Sequence, residues 1–233
     1  MAIVVGNILR RAQTALNDTA GTRWPLTELL RYVNDCPDEI SLLAPEILAQ
    51  TGVVTLVNGC LQSLPADAYS LIRVVCNMTG TSPSFVRGQA VTPIKRLILD
   101  QHMPGWQRSS VVPYTSLVSH LIEDDQAHRT FMVFPGNDGT GQIEIVVSKR
   151  IAKISEPGSP TVITSYDALN LDLDAAYLPA VSDYVIFRAY QKDMAIPAAA
   201  AASAAAYQRF GTALGVKLQS EIRASTRSQA TGT

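Results

Sequence analysis

Apolar positions near the start of the chain recur at helical spacing. Val5, Ile8, Leu9, Ala12 and Leu16 form one stripe, and Leu26, Leu29, Leu30, Val33, Ile40 and Leu43 form a second. The run Asn17-Asp-Thr-Ala-Gly21 ends the first helix, with Gly21 predicted as its left-handed cap. Pro37 lies inside the second stripe and is expected to kink that helix or split it near Asp35. The expectation is a pair of antiparallel helices.

From Gly52 to Val162 the pattern changes to short β-branched runs between turn residues, such as Val53–Val57 and Leu71–Val75. Asn58-Gly59 predicts one hairpin, since both central turn positions tolerate positive φ. A second hairpin is expected where Thr130–Phe134 and Gln142–Val147 flank Pro135-Gly-Asn-Asp-Gly-Thr-Gly141. Such strands predict a small antiparallel sandwich or barrel-like sheet.

Helical spacing returns from Asp174 to Ser220. Asp172 or Asp174 caps the start, Pro179 fits a first turn, and Pro197 separates two helices. In the second of these, Ala200, Ala204, Tyr207, Gly211, Leu214 and Leu218 form a narrow seam of the kind used in close helix pairing. Ala224 to Thr233 is rich in Ser and Thr and is expected to be disordered in isolation. The predicted class is α+β. Residues 1–50 and 165–220 would form a helical bundle, residues 51–164 an antiparallel β-rich insertion, and residues 221–233 a flexible tail.

Composition adds a reason to expect partners. Of 233 residues, 47% are hydrophobic and only 17% charged, against roughly 25% charged in ordinary globular proteins. These proportions exclude disorder and leave apolar surface for other chains. A net charge of −1 argues against a dedicated nucleic-acid binder. The charge is uneven, however. Residues 187–233 carry six positives and two negatives, +4, leaving −5 for the rest. That balance fits docking to an acidic partner or phosphates, or simply a solvated helix face.

Candidate chemistry is sparse. Cys36, Cys60 and Cys76 are odd in number and lack C-x-x-C spacing, so no disulfide framework is expected and synthesis in a reducing compartment is. No secretory signal is expected, and Met194–Gln208 falls short of a membrane span. The glycine-rich loop 136–141 lacks the Lys-Ser/Thr of a phosphate loop. His102, His120 and His128 have no metal-ligand spacing, and G-x-S-x-G is absent. Glu123-Asp124-Asp125 with His128 is the densest titratable cluster, read as a solvated turn. No cofactor, metal or catalytic residue is expected.

Several stretches, taken in order, resemble a known family. Arg23-Trp-Pro-Leu-Thr-Glu-Leu-Leu-Arg-Tyr-Val-Asn-Asp35, Leu64-Pro-Ala-Asp67, Tyr184-Val-Ile-Phe-Arg-Ala-Tyr-Gln-Lys-Asp193 and Tyr207-Gln-Arg-Phe210 resemble head-to-tail adaptor proteins of tailed, particularly short-tailed, bacteriophages. Less sharp matches are Leu99-Asp100 with Pro104-Gly-Trp106, and Phe131–Pro135. Pro25-Leu26 and Cys36-Pro37 depart from the family pattern. The resemblance implies a structural virion protein at the head-tail junction, made in the host bacterial cytoplasm. It implies a ring, commonly a dodecamer, that joins the portal to the tail nozzle while genomic double-stranded DNA passes through the lumen. It also implies C-terminal segments reaching toward the portal, and no membrane.

On that reading the candidate interface residues are Trp106, Phe131, Arg188, Lys192, Tyr207, Leu214, Leu218, Arg223 and Arg227. Two alternatives remain open. One is another head-closure or tail-tube component. The other is a hydrolase or lyase using Asp124, Asp125 and His128 in the β region.

Overall fold

The computed structural model describes residues 2–123 and 129–215. In chain order the first elements are β1 (Ala2–Val4), α1 (Val5–Ala15), α2 (Leu26–Leu43), β2 (Ala49–Thr55), β3 (Gly59–Ser63) and β4 (Ala68–Thr79). Next come β5 (Val86–Ala90), β6 (Thr92–Lys95), α3 (Arg96–His102), β7 (His120–Glu123), β8 (Thr130–Asn137) and β9 (Gln142–Lys149). The last are β10 (Asn170–Asp174), α4 (Leu178–Gln191) and α5 (Pro197–Ala213). They form two compact units. The ends of the chain, up to Ile47 and from Ile151, make one, and Leu48–Arg150 makes the other. The α+β class is therefore observed.

The first unit is organised around α4, which packs on α1, α2 and α5. Ala180, Val181, Tyr184, Val185, Ile186 and Ala189 are all buried, as expected for a helix apolar around most of its circumference. The stripe Val5, Ile8, Leu9 and Ala12 is fully buried, as are Leu29, Val33 and Ile40. Several local expectations are corrected. The left-handed cap of α1 is Asn17 (φ +53°), not Gly21. The N–H of Asp18 donates to Gln13 O at 3.0 Å and that of Asn17 to Thr14 O at 3.2 Å, which closes a Schellman motif. Gly21 is also left-handed, but within the following loop.

Pro37 does not split the second helix; α2 runs unbroken through it. Cys36, Pro37 and Ile40 are buried there, so packing offsets the lost main-chain bond. Residues 170–174, placed at the entry to the helical segment of the bundle, instead form β10, paired antiparallel with β1. The alternation of Leu171 and Leu173, both buried, with exposed neighbours is the strand signal. Asp174 caps the turn that follows by accepting from Ala176 N–H, and Pro179 and Pro197 occupy the first turns of α4 and α5.

In the second unit, two four-stranded sheets, in the orders β2-β9-β4-β5 and β3-β8-β7-β6, share one core. Leu56, Val74, Ile143 and Ile145 from one side meet Val118, Phe131 and Val133 from the other. Neither expected hairpin exists. β2 and β3 flank Asn58-Gly59 yet lie in different sheets, and so do β8 and β9. Both connections cross between sheets because buried side chains satisfy the backbone that a hairpin ladder would pair. Gln62, 2% exposed, accepts from Val57 N–H at 2.8 Å and donates to Val57 O and Gly59 O, both at 2.9 Å. Asn137 does the same for the glycine-rich loop, accepting from Gly139 N–H at 2.8 Å. The sheets are not wholly antiparallel either. β6 and β7 are parallel, joined by a crossover that contains α3.

Candidate assembly interface

Three of the stretches that carried the family resemblance, 23–35, 184–193 and 207–210, meet in the first unit, whereas Leu64–Asp67 and the less sharp matches lie in the second. Arg23, just before α2, makes a two-pronged ion pair with Asp193, just after α4, with Nε donating to Oδ2 at 2.8 Å and Nη2 to Oδ1. Trp24 is 6% exposed, and its Nε1–H donates to Ala189 O at 3.0 Å. Lys192 Nζ lies 2.8 Å from Glu28 Oε2 and donates to Arg23 O at 3.0 Å. Arg188 sits 3.6 Å from Asp35 and over the Tyr32 ring. Tyr207 on α5 donates to Glu39 Oε1 at 2.7 Å. These residue types hold α2, α4 and α5 together. They form a clasp rather than a reactive site.

The loop leading into α2 is built on another carboxylate. Asp18 accepts from the N–H groups of Trp24, Thr22 and Arg23 at 2.8–2.9 Å. Those bonds, the one from Trp24 foremost, hold Asp18 below the usual carboxylate range. The bond from Arg23 does the same for Asp193, and that from Arg10 for Asp167. At Glu28 burial pushes upward, but the bonds from Lys192 and Tyr32 outweigh it and the net shift is downward. Burial, aided by Glu39, pushes Tyr207 up to about 12.

Groups depressed in the native state contribute stability above their unfolded pKa of about 4, and that contribution is lost as pH falls through the lower native values. The urea midpoint should therefore be flat from pH 7 to 5 and fall steeply below about pH 4. High salt should reduce the contribution of the exposed Arg10–Asp167 pair. An acid-insensitive midpoint would contradict these assignments.

The sequence-chosen residues are placed as follows. Trp106 is 1% exposed, its Nε1–H bonded to Asp100 at 2.9 Å, inside a small core with Cys60, Leu99 and Ile122. Phe131 lies in the shared core of the sheets and Leu214 is buried. All three are buried within the single chain. Arg188, Lys192 and Tyr207 belong to the clasp. Leu218, Arg223 and Arg227 lie outside the described residues, as do Asp124, Asp125, His128 and the tail from 221. The buried residues of α5 are Ala199, Ser203, Ala206, Phe210 and Gly211, with Leu214 just after it. Gly211 and Leu214 belong to the expected seam, but in the first half the buried row lies one position away, with Ala200 and Tyr207 half-buried and Ala204 exposed. Ser203 Oγ donates to Phe187 O at 3.2 Å and Phe210 stacks obliquely on Tyr184, which turns this face toward α4.

The basic balance is also altered. Arg188, Lys192 and Arg209 each face a carboxylate within the unit, namely Asp35, Glu28 and Asp183. Apolar surface is left over elsewhere. Leu97 (64% exposed) and Ile98 on α3, with Met103 and Val111 after it, point outward from a segment anchored by Leu99 and Trp106. The signal was legible: Leu97-Ile98-Leu99 are consecutive on a seven-residue helix, and one helix face cannot bury all three.

Among the described residues, no group of three His, Cys, Asp or Glu side chains could hold a metal, and no helix is long and apolar enough to cross a membrane. The chain is thus of mixed helix and sheet, its distinctive polar residues devoted to holding helices together and its apolar surplus left exposed. It belongs to the SU10 adaptor protein family, whose model matches residues 5–232, and that family consists of structural phage adaptors. No curated protein matches the chain.

Proposed function

We propose that this protein is the head-to-tail adaptor of a tailed, short-tailed phage. Copies form a ring, a dodecamer on the family pattern, beneath the portal. The ring holds the tail nozzle and leaves a lumen through which genomic double-stranded DNA passes without sequence-specific binding. The protein is made in the host bacterial cytoplasm and ends in the virion at the head-tail junction. The helices of the two chain ends form the bundle, and residues 51–164 form the β-rich insertion it carries. The observation that carries this reading is family membership over residues 5–232.

The chemistry is consistent with a role performed by shape. Exposed apolar side chains such as Leu97 and Ile98 gain roughly 25 cal/mol per Å² when a neighbour covers them. A ring subunit has two different faces and covers such area at both. Leu218, Arg223 and Arg227, with the tail that follows, are the proposed portal contacts. Electron microscopy of the full-length protein with purified portal tests the proposal. Rings stacked on the portal are expected, and a monomer that ignores the portal would refute it. Truncation after Ser220 should abolish attachment. If attachment survives, the portal contact lies elsewhere.

A further inference from the structure

A sheet edge is a row of main-chain donors and acceptors, and an unguarded one is a template for another strand. Among the described residues the two sheets have four edges: β2, β5, β3 and β6. Three are blunted to some degree. β3 and β5 are five residues long and each ladder carries a register shift, between Gly59 and Leu61 and between Cys76 and Met78, while β6 is four residues long and contains Pro93 and Lys95. β2 has no such device. Its seven residues pair with β9 in unbroken register, from Ala49↔Ser148 to Thr55↔Gln142. They include no charge and no proline, and every one is exposed or half-exposed. Along such a strand alternate residues direct N–H and C=O away from the single partner, so β2 presents a flat, regular and neutral edge.

The opposite edge of the same sheet is β5, all five of whose residues are exposed. Its one charge, Arg87, would ordinarily guard it. Arg87 instead donates to Glu144 Oε1 at 2.7 Å. Glu144 stands on β9, beyond the intervening β4, so the guanidinium is drawn back across the sheet face and off the edge. Sheet parity supplies the last element. In β2-β9-β4-β5 every neighbouring pair is antiparallel, so β2 and β5 run in opposite directions. A second copy placed so as to continue the sheet sets its β2 antiparallel to the first copy's β5, and the alternation passes unbroken from copy to copy. The contact joins two different edges and is therefore head-to-tail, the kind that closes into rings.

We propose that β2 of one copy pairs with β5 of the next, so that a single β-sheet runs through the assembled ring. The occupant of the β2 edge is thus a second copy of this chain, and the inference rests on the ring reading above. Amide hydrogen exchange of the wild-type protein, free and assembled on purified portal, tests it directly. Amides in 49–55 and 86–90 should slow together on assembly, with those already bonded to β9 or β4 unchanged. A second arm uses Thr51→Pro and Gly52→Pro. Adjacent N–H groups on a strand point to opposite sides, so one of the two variants breaks the β9 ladder and melts early, whereas the other keeps the melting temperature and obstructs only the free edge. That second variant should lose roughly tenfold or more of its assembled fraction.

Rings on the portal whose 49–55 and 86–90 amides exchange at the free rate would overturn the inference and leave the ring reading standing. A twofold dimer that protects 49–55 alone would overturn the assignment of β5. Absence of rings altogether would overturn both.

Discussion

Replacing Trp24 by alanine is expected to lower the stability of the helical unit by about 3–5 kcal/mol. Trp24 immediately precedes Pro25 and α2, yet its indole is spent on α4, bonding Ala189 O and meeting Tyr190 edge-on at a ring separation of 6.3 Å. The substitution removes the largest side chain of the clasp and leaves a void that the flanking loop, already held by three bonds to Asp18, cannot easily fill. Trp24→Phe keeps most of the packing and loses the donor. Ala189 O retains Lys192 N–H as a partner at 3.2 Å, so this variant should lose only about 1 kcal/mol beyond its change in volume. Each of the protein's two tryptophans stands in a different unit. In the Trp24 variants, urea unfolding followed by Trp106 fluorescence should report the β unit unchanged, and circular dichroism at helix wavelengths should report the loss. A loss under about 1 kcal/mol for the alanine variant would show that the clasp does not depend on the indole.

The clasp also shows which kinds of information a sequence carries openly. The stripes of α1 and α2 could be read because burial imposes a period of 3.6 on strongly apolar residues. The blocks around Arg23–Asp35 and Tyr184–Asp193 stood out as a family pattern, but their purpose emerged only when folding set Arg23 against Asp193 and Glu28 against Lys192, more than 160 residues away. The seam of α5 was misplaced by one position in its first half because nearly every residue there is alanine. The rows through Ala200 and Ala199 are equally small, and only Ser203 and Phe210, through Phe187 O and Tyr184, select the one that is buried. The hairpins failed for a related reason. Turn residues between two β-branched runs look alike whether the chain returns to its own sheet or crosses to the facing one. What decided the matter were two buried amides: that of Gln62, which ties down Val57 and Gly59 beside it, and that of Asn137, whose partners Thr115 O and Ser116 O lie more than twenty residues away. Trp106 illustrates the limit for interfaces, since an aromatic residue that anchors a core and one that anchors a partner have the same local pattern.

Gly141→Ala should be the most damaging of the small substitutions, because it strikes the crossover that replaced the second hairpin. Asn137 is fully buried there. Its Nδ2 donates to Thr115 O at 3.0 Å and Ser116 O at 3.2 Å, while its Oδ1 accepts from Gly139 N–H and Gly141 N–H. A Cβ on Gly141 would fall 2.2 Å from both Asn137 Nδ2 and Ser116 O. Neither is the free end of a flexible chain: one is locked by four bonds and the other is backbone. The methyl can be accommodated only by moving Asn137 or the 115–116 segment, which leaves buried polar groups unpaired at about 1–3 kcal/mol each, on top of about 1–3 kcal/mol for overpacking. A loss of about 3 kcal/mol or more is expected in the urea midpoint read by Trp106 fluorescence. Gly158→Ala, where no atom lies within 4 Å of the added carbon, should change stability by less than about 0.5 kcal/mol. Combining Gly141→Ala with Asn137→Ala removes one of the two clashing atoms, so the double variant should be more stable than the sum of the single losses by about 1 kcal/mol or more. Strict additivity would mean that the loop accommodates the methyl without disturbing Asn137, and that a polar amide is not what turns the chain from one sheet to the other.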